Sequence, residues 1–159
     1  MPAPIEDYAL LSDCRTGALV SRDGSIDWLC LPRFDSSSVF GAILGDPSHG
    51  CWTLRPSGAG ATSTRYYLSD TFILVTRWET AEGVAEVHEF MPIHPTRTEV
   101  IRRIVGVSGS VEFDTELRLH FDYSRRLPWV RQVGTPEHPA LHATAGPESV
   151  IVRGVRFHA

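Results

Sequence analysis

Nineteen acidic side chains are spread over the 159 residues, so paired carboxyls are the first chemistry to weigh. Hydrolysis of a glycosidic bond needs two of them, about 5–5.5 Å or about 6.5–9.5 Å apart, one serving as acid and the other as base or nucleophile. With so many carboxylates, the face each occupies matters more than its spacing. Glu86 and Glu89 fall on opposite faces of a strand. Glu112, Asp114 and Glu116 share a face, but solvation of a surface accounts for that alternation. His88-Glu89-Phe90-Met91-Pro92 opens like a zinc-protease motif, yet position 92 is Pro rather than His, and the segment reads as strand where the motif needs helix. His88 and His94 alone fall short of the three or four ligands that zinc takes. Cys14, Cys30 and Cys51 include no Cys-x-x-Cys and read as small buried thiols. No Gly-x-Ser-x-Gly elbow and no phosphate-cradling glycine loop is present. The residues predict no catalytic group and no metal ligand.

One cluster is different. Asp27, Trp28, Arg33, Phe34 and Asp35 are packed closely at the end of a hairpin. A sugar site takes an aromatic face for the C–H groups of the ring and planar polar groups for its hydroxyls. The same residues also suit a plainer reading, with Trp28 and Phe34 in the core and Arg33 paired to Asp35 or Asp27.

The elements that must position this cluster read as strands joined by tight turns. Ala18–Ser21 and Ser25–Leu31 flank Arg22-Asp23-Gly24, an Asp-Gly turn in which both central residues favour positive φ. Thr71–Glu79 and Val84–Phe90 flank Ala81-Glu82-Gly83 as a second hairpin. Glu99–Val107 and Val111–Tyr123 flank Ser108-Gly109-Ser110 as a third. From Val111 to Asp122 apolar and polar residues alternate strictly, which means a long strand with one face in a core and one in water. A helical turn is predicted over Ser37–Leu44, capped by Asp35 and stopped by Gly45 and Pro47. Loops are predicted at Pro56–Thr64 and, with four prolines, from Leu127 through Pro147. Ser149–Phe157 reads as a last strand. An unpaired strand recruits other chains, so the expected fold is an all-β, antiparallel β-sandwich truncated at its C-terminal end.

Composition narrows the function classes. The formal charge is −4 and every one of the 15 basic residues is Arg. That balance argues against nucleic acid, which wants a surplus of cations. Only Arg102-Arg103 and Arg125-Arg126 are adjacent, so no anion surface is signalled. No apolar run approaches the roughly 20 residues of a membrane span, and Met1–Tyr8 lacks the features of a secretion signal, giving a cytoplasmic expectation. Three roles remain in view. They are a supporting domain of a larger protein, a free-standing carbohydrate-binding module using Trp52, Trp78 or Trp129, and a homo-oligomer paired through exposed sheet edges.

Residues Ile5–Asp46 closely resemble the opening of bacterial glycoside hydrolase family 15 proteins, the glucoamylase-like and trehalase-like enzymes. The run Asp23-Gly-Ser-Ile-Asp-Trp-Leu-Cys-Leu-Pro-Arg-Phe-Asp-Ser36 carries most of that specificity. The likeness continues through Gly50–Pro56, Arg65–Leu68, Thr71–Glu79 and His88–Pro92, and weakens after about residue 125. The resemblance implies an N-terminal β-sandwich over residues 1–159, sometimes called a supersandwich, packed against a C-terminal (α/α)6 catalytic barrel absent from this chain. It further implies that the full-length protein is an inverting hydrolase of an α-glucoside, trehalose or a malto-oligosaccharide, with both catalytic glutamates in the barrel. Phosphate and magnesium are associated with some trehalase-type members; no cofactor is expected for this piece. The resemblance also places Asp27, Trp28, Arg33, Phe34 and Asp35 near the barrel mouth, as substrate-rim or domain-interface residues.

Overall fold

A computed structural model describes residues 3–154. Strands dominate, and every pairing is antiparallel. Numbered in chain order, the first sheet runs β1 (Ala9–Ser12), β2 (Gly17–Val20), β3 (Ser25–Cys30), β5 (Cys51–Pro56) and β10 (Phe113–Arg118), with β4 (Ser38–Phe40) beside β3. The second runs β6 (Thr62–Tyr67), β7 (Leu74–Glu79), β8 (Gly83–Phe90) and β9 (Ile101–Gly109). The third is β11 (Trp129–Gly134), β12 (Pro139–Ala145) and β13 (Glu148–Arg153).

The sheets share one interior. Leu11, Ala18, Val20, Ile26 and Leu29 of the first sheet meet Leu74 of the second and Ala143 and Ala145 of the third, with Met91 and Phe121 among them. A smaller cluster joins Leu54 to Trp78 and Val87, with Phe113 against it. Each large side chain so buried contributes about 1.5–3 kcal/mol relative to exposure. The period-two pattern is what makes this interior: in β8, Ala85, Val87 and Glu89 are buried while their neighbours are half-exposed.

The first two hairpins form as the sequence predicts, β2 with β3 and β7 with β8. The turn chemistry of the first differs. Gly24 has φ +80, but Asp23 is not in the left-handed region. The Gly24 amide donates to the Ser21 carbonyl and the Ser21 amide to the Ser25 carbonyl, so glycine alone supplies the reversal and Leu19/Val20 absorb it as a bulge.

The third predicted hairpin does not form. Among the described residues β9 pairs only with β8, and β10 crosses to the other sheet to pair with β5, Phe113 opposite Pro56 and Arg118 opposite Cys51. Alternation fixed the faces of β10 correctly, but it carries no information about the partner. The Ser110 amide is taken by the Glu82 carbonyl, which ends β9's run and releases the chain. β10 also stops at Arg118. Beyond it Asp122, Tyr123 and Ser124 adopt positive φ in a tight turn closed by Phe121 and Arg126.

Three further expectations are corrected. Ser37–Leu44 is not one helical turn: Ser38–Phe40 pairs with β3, and Ala42–Leu44 is a single 3-10 turn. Asp35 caps nothing, whereas Asp46 caps Pro47–His49 by accepting from the Ser48 amide at 2.7 Å. The predicted loop over Leu127–Pro147 holds β11 and β12, because Pro139 begins a strand, a place where a missing N–H is tolerated. Thr62–Thr64, predicted as loop, begins β6. Cys14 is exposed rather than buried; Cys30 and Cys51 are buried. The predicted last strand is present as β13, and its portion from residue 155 on lies outside the described residues. Among the described residues no helix is long and apolar enough to cross a membrane.

Candidate functional site

Asp27 and Trp28 are consecutive on β3 and therefore project to opposite faces. Asp27 is held from two sides. The Tyr8 hydroxyl donates to its Oδ2 at 2.7 Å, and Ser25 Oγ donates to Oδ1. Burial, reinforced by the Asp27 carboxylate, pushes the Tyr8 phenol up from its ordinary value. Asp27 faces a groove of about 600 Å³ lined also by Asp7, Arg22, Asp46 and Arg118. Trp28 is half-buried, its ring tilted 41° against Tyr123 with centroids 6.1 Å apart.

The loop between β3 and β4 carries the other three, all exposed. Arg33 grips Asp35 with both arms of its fork, Nε to Oδ1 at 2.8 Å and Nη2 to Oδ2 at 3.2 Å. That pairing holds the Asp35 carboxyl below its usual range. The Phe34 amide donates to the Arg15 carbonyl at 3.0 Å, and its ring lies over Gly17, where a Cβ would stand 3.3 Å from Cε1. Phe34 is nevertheless 61% exposed.

The structure thus brings Arg33 to Asp35 and keeps both from Asp27. Three segments meet at this end of the sandwich. Asp13 Oδ1 accepts from the amides of Arg15 and Thr16, fixing the β1–β2 turn. From that turn Arg15 Nη1 donates to the His94 carbonyl at 3.3 Å, and Thr98 Oγ1 donates to the Pro32 carbonyl at 3.5 Å. What the end presents is an aromatic ring and a planar guanidinium on a braced loop. Such groups orient a sugar ring or a partner surface. They supply neither an acid nor a base.

Three of the candidate carboxylates, Glu86, Glu89 and Glu116, are engaged with arginines. Glu86 accepts from Arg77 and contacts the His88 ring; His88 and then Arg77 hold its carboxyl down. Glu116 is paired to Arg118. His94 Nδ1 accepts from the amides of Thr96 and Arg97, the role of a turn cap. Among the described residues no three His, Cys, Asp or Glu side chains converge on a point. Of the three tryptophans named for a binding module, Trp78 is buried in the core, and Trp52 is half-buried with its Nε1 donating to Thr115 Oγ1 at 3.1 Å. Trp129 alone is freely exposed.

Sequence reasoning missed the groups that lock the scaffold behind the loops. The side chain of Arg102 on β9 is 1% exposed and so is that of its partner Glu89, with Nε 2.8 Å from Oε1. Its remaining donors cross to the first sheet, Nη1 to the Trp52 carbonyl at 2.6 Å and Nη2 to the Gly24 carbonyl at 2.7 Å. The guanidinium also lies 5.2 Å from the centre of the Trp52 ring. Arg65 on β6 makes a second crossing, to the carbonyls of Val20 and Asp7. Burial pushes the Glu89 carboxyl up, and Arg102 and Arg65 oppose the shift. The signal in the sequence is adjacency: Arg102-Arg103 reads as a pair of charges, and nothing in it shows which of the two turns inward.

Fold and site together define an antiparallel β-scaffold domain with a loop braced for contact at one end. The chain belongs to the trehalase-like N-terminal family, whose model matches residues 1–159. It is 40% identical over 141 residues to a trehalase of Mycolicibacterium smegmatis, covering 77% of this chain and 21% of that protein. A trehalase of Mycobacterium tuberculosis is 39% identical over 141 residues, again 77% of this chain and 21% of the relative. Trehalase 1 of Sulfolobus acidocaldarius is 42% identical over 117 residues, 74% of this chain and 20% of the relative. The chain therefore spans about a fifth of the length of these curated relatives. No solved structure matches it.

Proposed function

We propose that this chain is the non-catalytic N-terminal domain of a trehalose-hydrolysing enzyme of the glycoside hydrolase family 15 type. The observation that carries the reading is the match of the whole chain to a trehalase-like N-terminal family, with trehalase relatives aligned over only a fifth of their length. The acid and base of the inverting reaction then belong to the C-terminal (α/α)6 barrel. Any phosphate or magnesium requirement belongs there too, and the cytoplasm is the expected compartment.

In this reading the loop carrying Arg33, Phe34 and Asp35, with Trp28 behind it, rims the barrel mouth. Closing one side of a pocket orients the sugar and excludes water, so the loop contributes to turnover without touching a proton. The complete protein is expected to hydrolyse trehalose, and residues 1–159 alone to leave it intact. Turnover by the fragment, or a complete protein that acts on maltoheptaose and not on trehalose, overturns the reading. Arg33→Ala and Trp28→Ala in the complete protein are expected to lower kcat/KM by up to about a hundredfold, the scale at which misplaced positioning groups cost rate. For Arg33→Ala the melting temperature should hold, since its ionic partner Asp35 is as exposed as it is. An unchanged kcat/KM would reduce both residues to packing.

A further inference from the structure

A hollow of about 370 Å³ opens beside the β2–β3 turn, a volume at the small end of the roughly 300–1000 Å³ of ligand pockets. It lies at the far end of β3 from the loop of Arg33, Phe34 and Asp35, and the six residues of that strand span about 20 Å. Asp23, Arg55 and Asp114 line it together with Gly58, Gly60 and Trp78. Asp114 stands opposite Arg55 across the β5–β10 pair, so the two side chains share a face. Arg55 Nη1 is 3.8 Å from Asp23 Oδ2, longer than a hydrogen bond. Most of the donors of the guanidinium are therefore unused. Gly58 and Gly60 hold the strap between β5 and β6 at φ +80 and +92, and a Cβ on either would meet nothing within 4 Å. A ligand can approach bare backbone there. Trp78 completes the lining. It is 6% exposed, and among the described residues its Nε1 donates to nothing. The N–H edge of the ring lies toward Gly24, where a Cβ would stand 3.4 Å from Cζ2, next to Asp23. A buried donor without an acceptor is costly, and an indole can only donate.

We propose that this hollow binds a neutral, hydroxyl-rich ligand of about one hexose ring, with Asp23 and Asp114 accepting from its hydroxyls and Arg55 and the Trp78 Nε1–H donating to its oxygens. The charges select the class. Two carboxylates beside one guanidinium repel an anion, and the guanidinium repels a cation. No three metal-ligating side chains converge among the described residues. A hydroxyl both donates and accepts, so adjacent hydroxyls on one ring serve carboxylate, guanidinium and indole together. Trp78 acts here through its N–H and not as a stacking platform, which its burial prevents. The inference goes beyond the proposed function and holds whether or not the complete protein hydrolyses trehalose.

Carbodiimide coupling of glycinamide to the carboxyls of the complete protein, read residue by residue by mass spectrometry, tests this with D-glucose as the probe. Asp23 and Asp114 are exposed and should label freely without sugar. At about ten times its dissociation constant, glucose should slow both on the order of tenfold, in proportion to the free fraction that mass action leaves. Exposed Asp70, in the β6–β7 turn, should not change. Buried Glu89 should stay unlabelled in every variant, which shows that the fold has survived. Trp78→Phe should raise the half-protecting glucose concentration by roughly threefold to tenfold, the span of one neutral hydrogen bond. Arg55→Met should raise it further, because charge-assisted bonds are about twice as strong. Absence of protection by glucose overturns the inference, as does equal protection by glycerol, sulfate or tetramethylammonium. So do Asp23 and Asp114 that are unreactive before sugar is added, or a half-protecting concentration that neither variant changes. Protection confined to Asp35 would place the sugar at the rim loop of the proposed function and likewise remove this site.

Discussion

The guanidinium of Arg102 neutralises a buried carboxylate, caps two carbonyls of the facing sheet and covers an indole. Removing it strands Glu89 as a buried charge, and breaking a buried pair on one side costs about 3–5 kcal/mol. Arg102→Met should therefore lower the urea midpoint severely. The double change Arg102→Met with Glu89→Leu should recover part of the loss, because an apolar pair has no charge to desolvate. No recovery would place the stabilising role in the carbonyl contacts. Tyr8 gives a pH prediction. Its phenol is raised by burial and by Asp27, so the stabilisation is complete below the unfolded tyrosine pKa of about 10 and is lost as pH rises from there through the higher folded value. An alkaline absorbance titration should show one tyrosine ionising late, and Tyr8→Phe should remove that step and flatten the alkaline loss of stability. At this scale the sequence disclosed residue types but not partners. The Arg33–Asp35 pair was legible because two residues separate nothing; Asp27–Tyr8 and Glu89–Arg102 are 19 and 13 residues apart and depend on register.

Turns were more legible than pairings. Gly24 marks the β2–β3 hairpin in the sequence, and the structure shows why only glycine serves there. With φ +80, an added Cβ would stand 2.4 Å from the Leu54 carbonyl oxygen. Gly58 has the same φ, yet a Cβ there meets nothing within 4 Å. Gly58→Ala should thus cost only the backbone strain, about 1–3 kcal/mol at most. Gly24→Ala should cost clearly more, because the β3–β5 contact must also open. Denaturant midpoints of the two variants measure the difference, and equal losses would show that the Leu54 carbonyl yields freely. The same reasoning explains the error at Ser108-Gly109-Ser110. The residues there read as the turn of a hairpin, but a glycine break followed by an alternating strand fits a crossover to β5 as well as a return onto β9. The prolines of Leu127–Pro147 misled for a related reason: they lie at strand starts and turns, and spacing alone does not distinguish that from a loop.

For the whole molecule, three sheets share one interior and two arginines staple the second sheet to the first. β3 lies between β2 on one edge and β4 and β5 on the other, and β7 and β8 are central in their sheet. β6 is exposed along almost its whole length, β11 likewise, and β9 is a nine-residue edge. Local opening is cheapest where apolar contacts are few and backbone bonds face water. Amide exchange on the 159-residue chain should therefore proceed from β6 and β11 inward, with β3, β7 and β8 last. Arg102 adds a sharper expectation. Its bonds to the Gly24 and Trp52 carbonyls tie the β2–β3 turn and β5 to β9, so the inner half of β9, around Arg102, should exchange with the slow core although it belongs to an edge strand. The half near Gly109, which no such tie secures, should exchange early. Uniform exchange along β9 would mean that the buried arginine holds only its own carboxylate, and that the two sheets are joined by Arg65 and apolar packing.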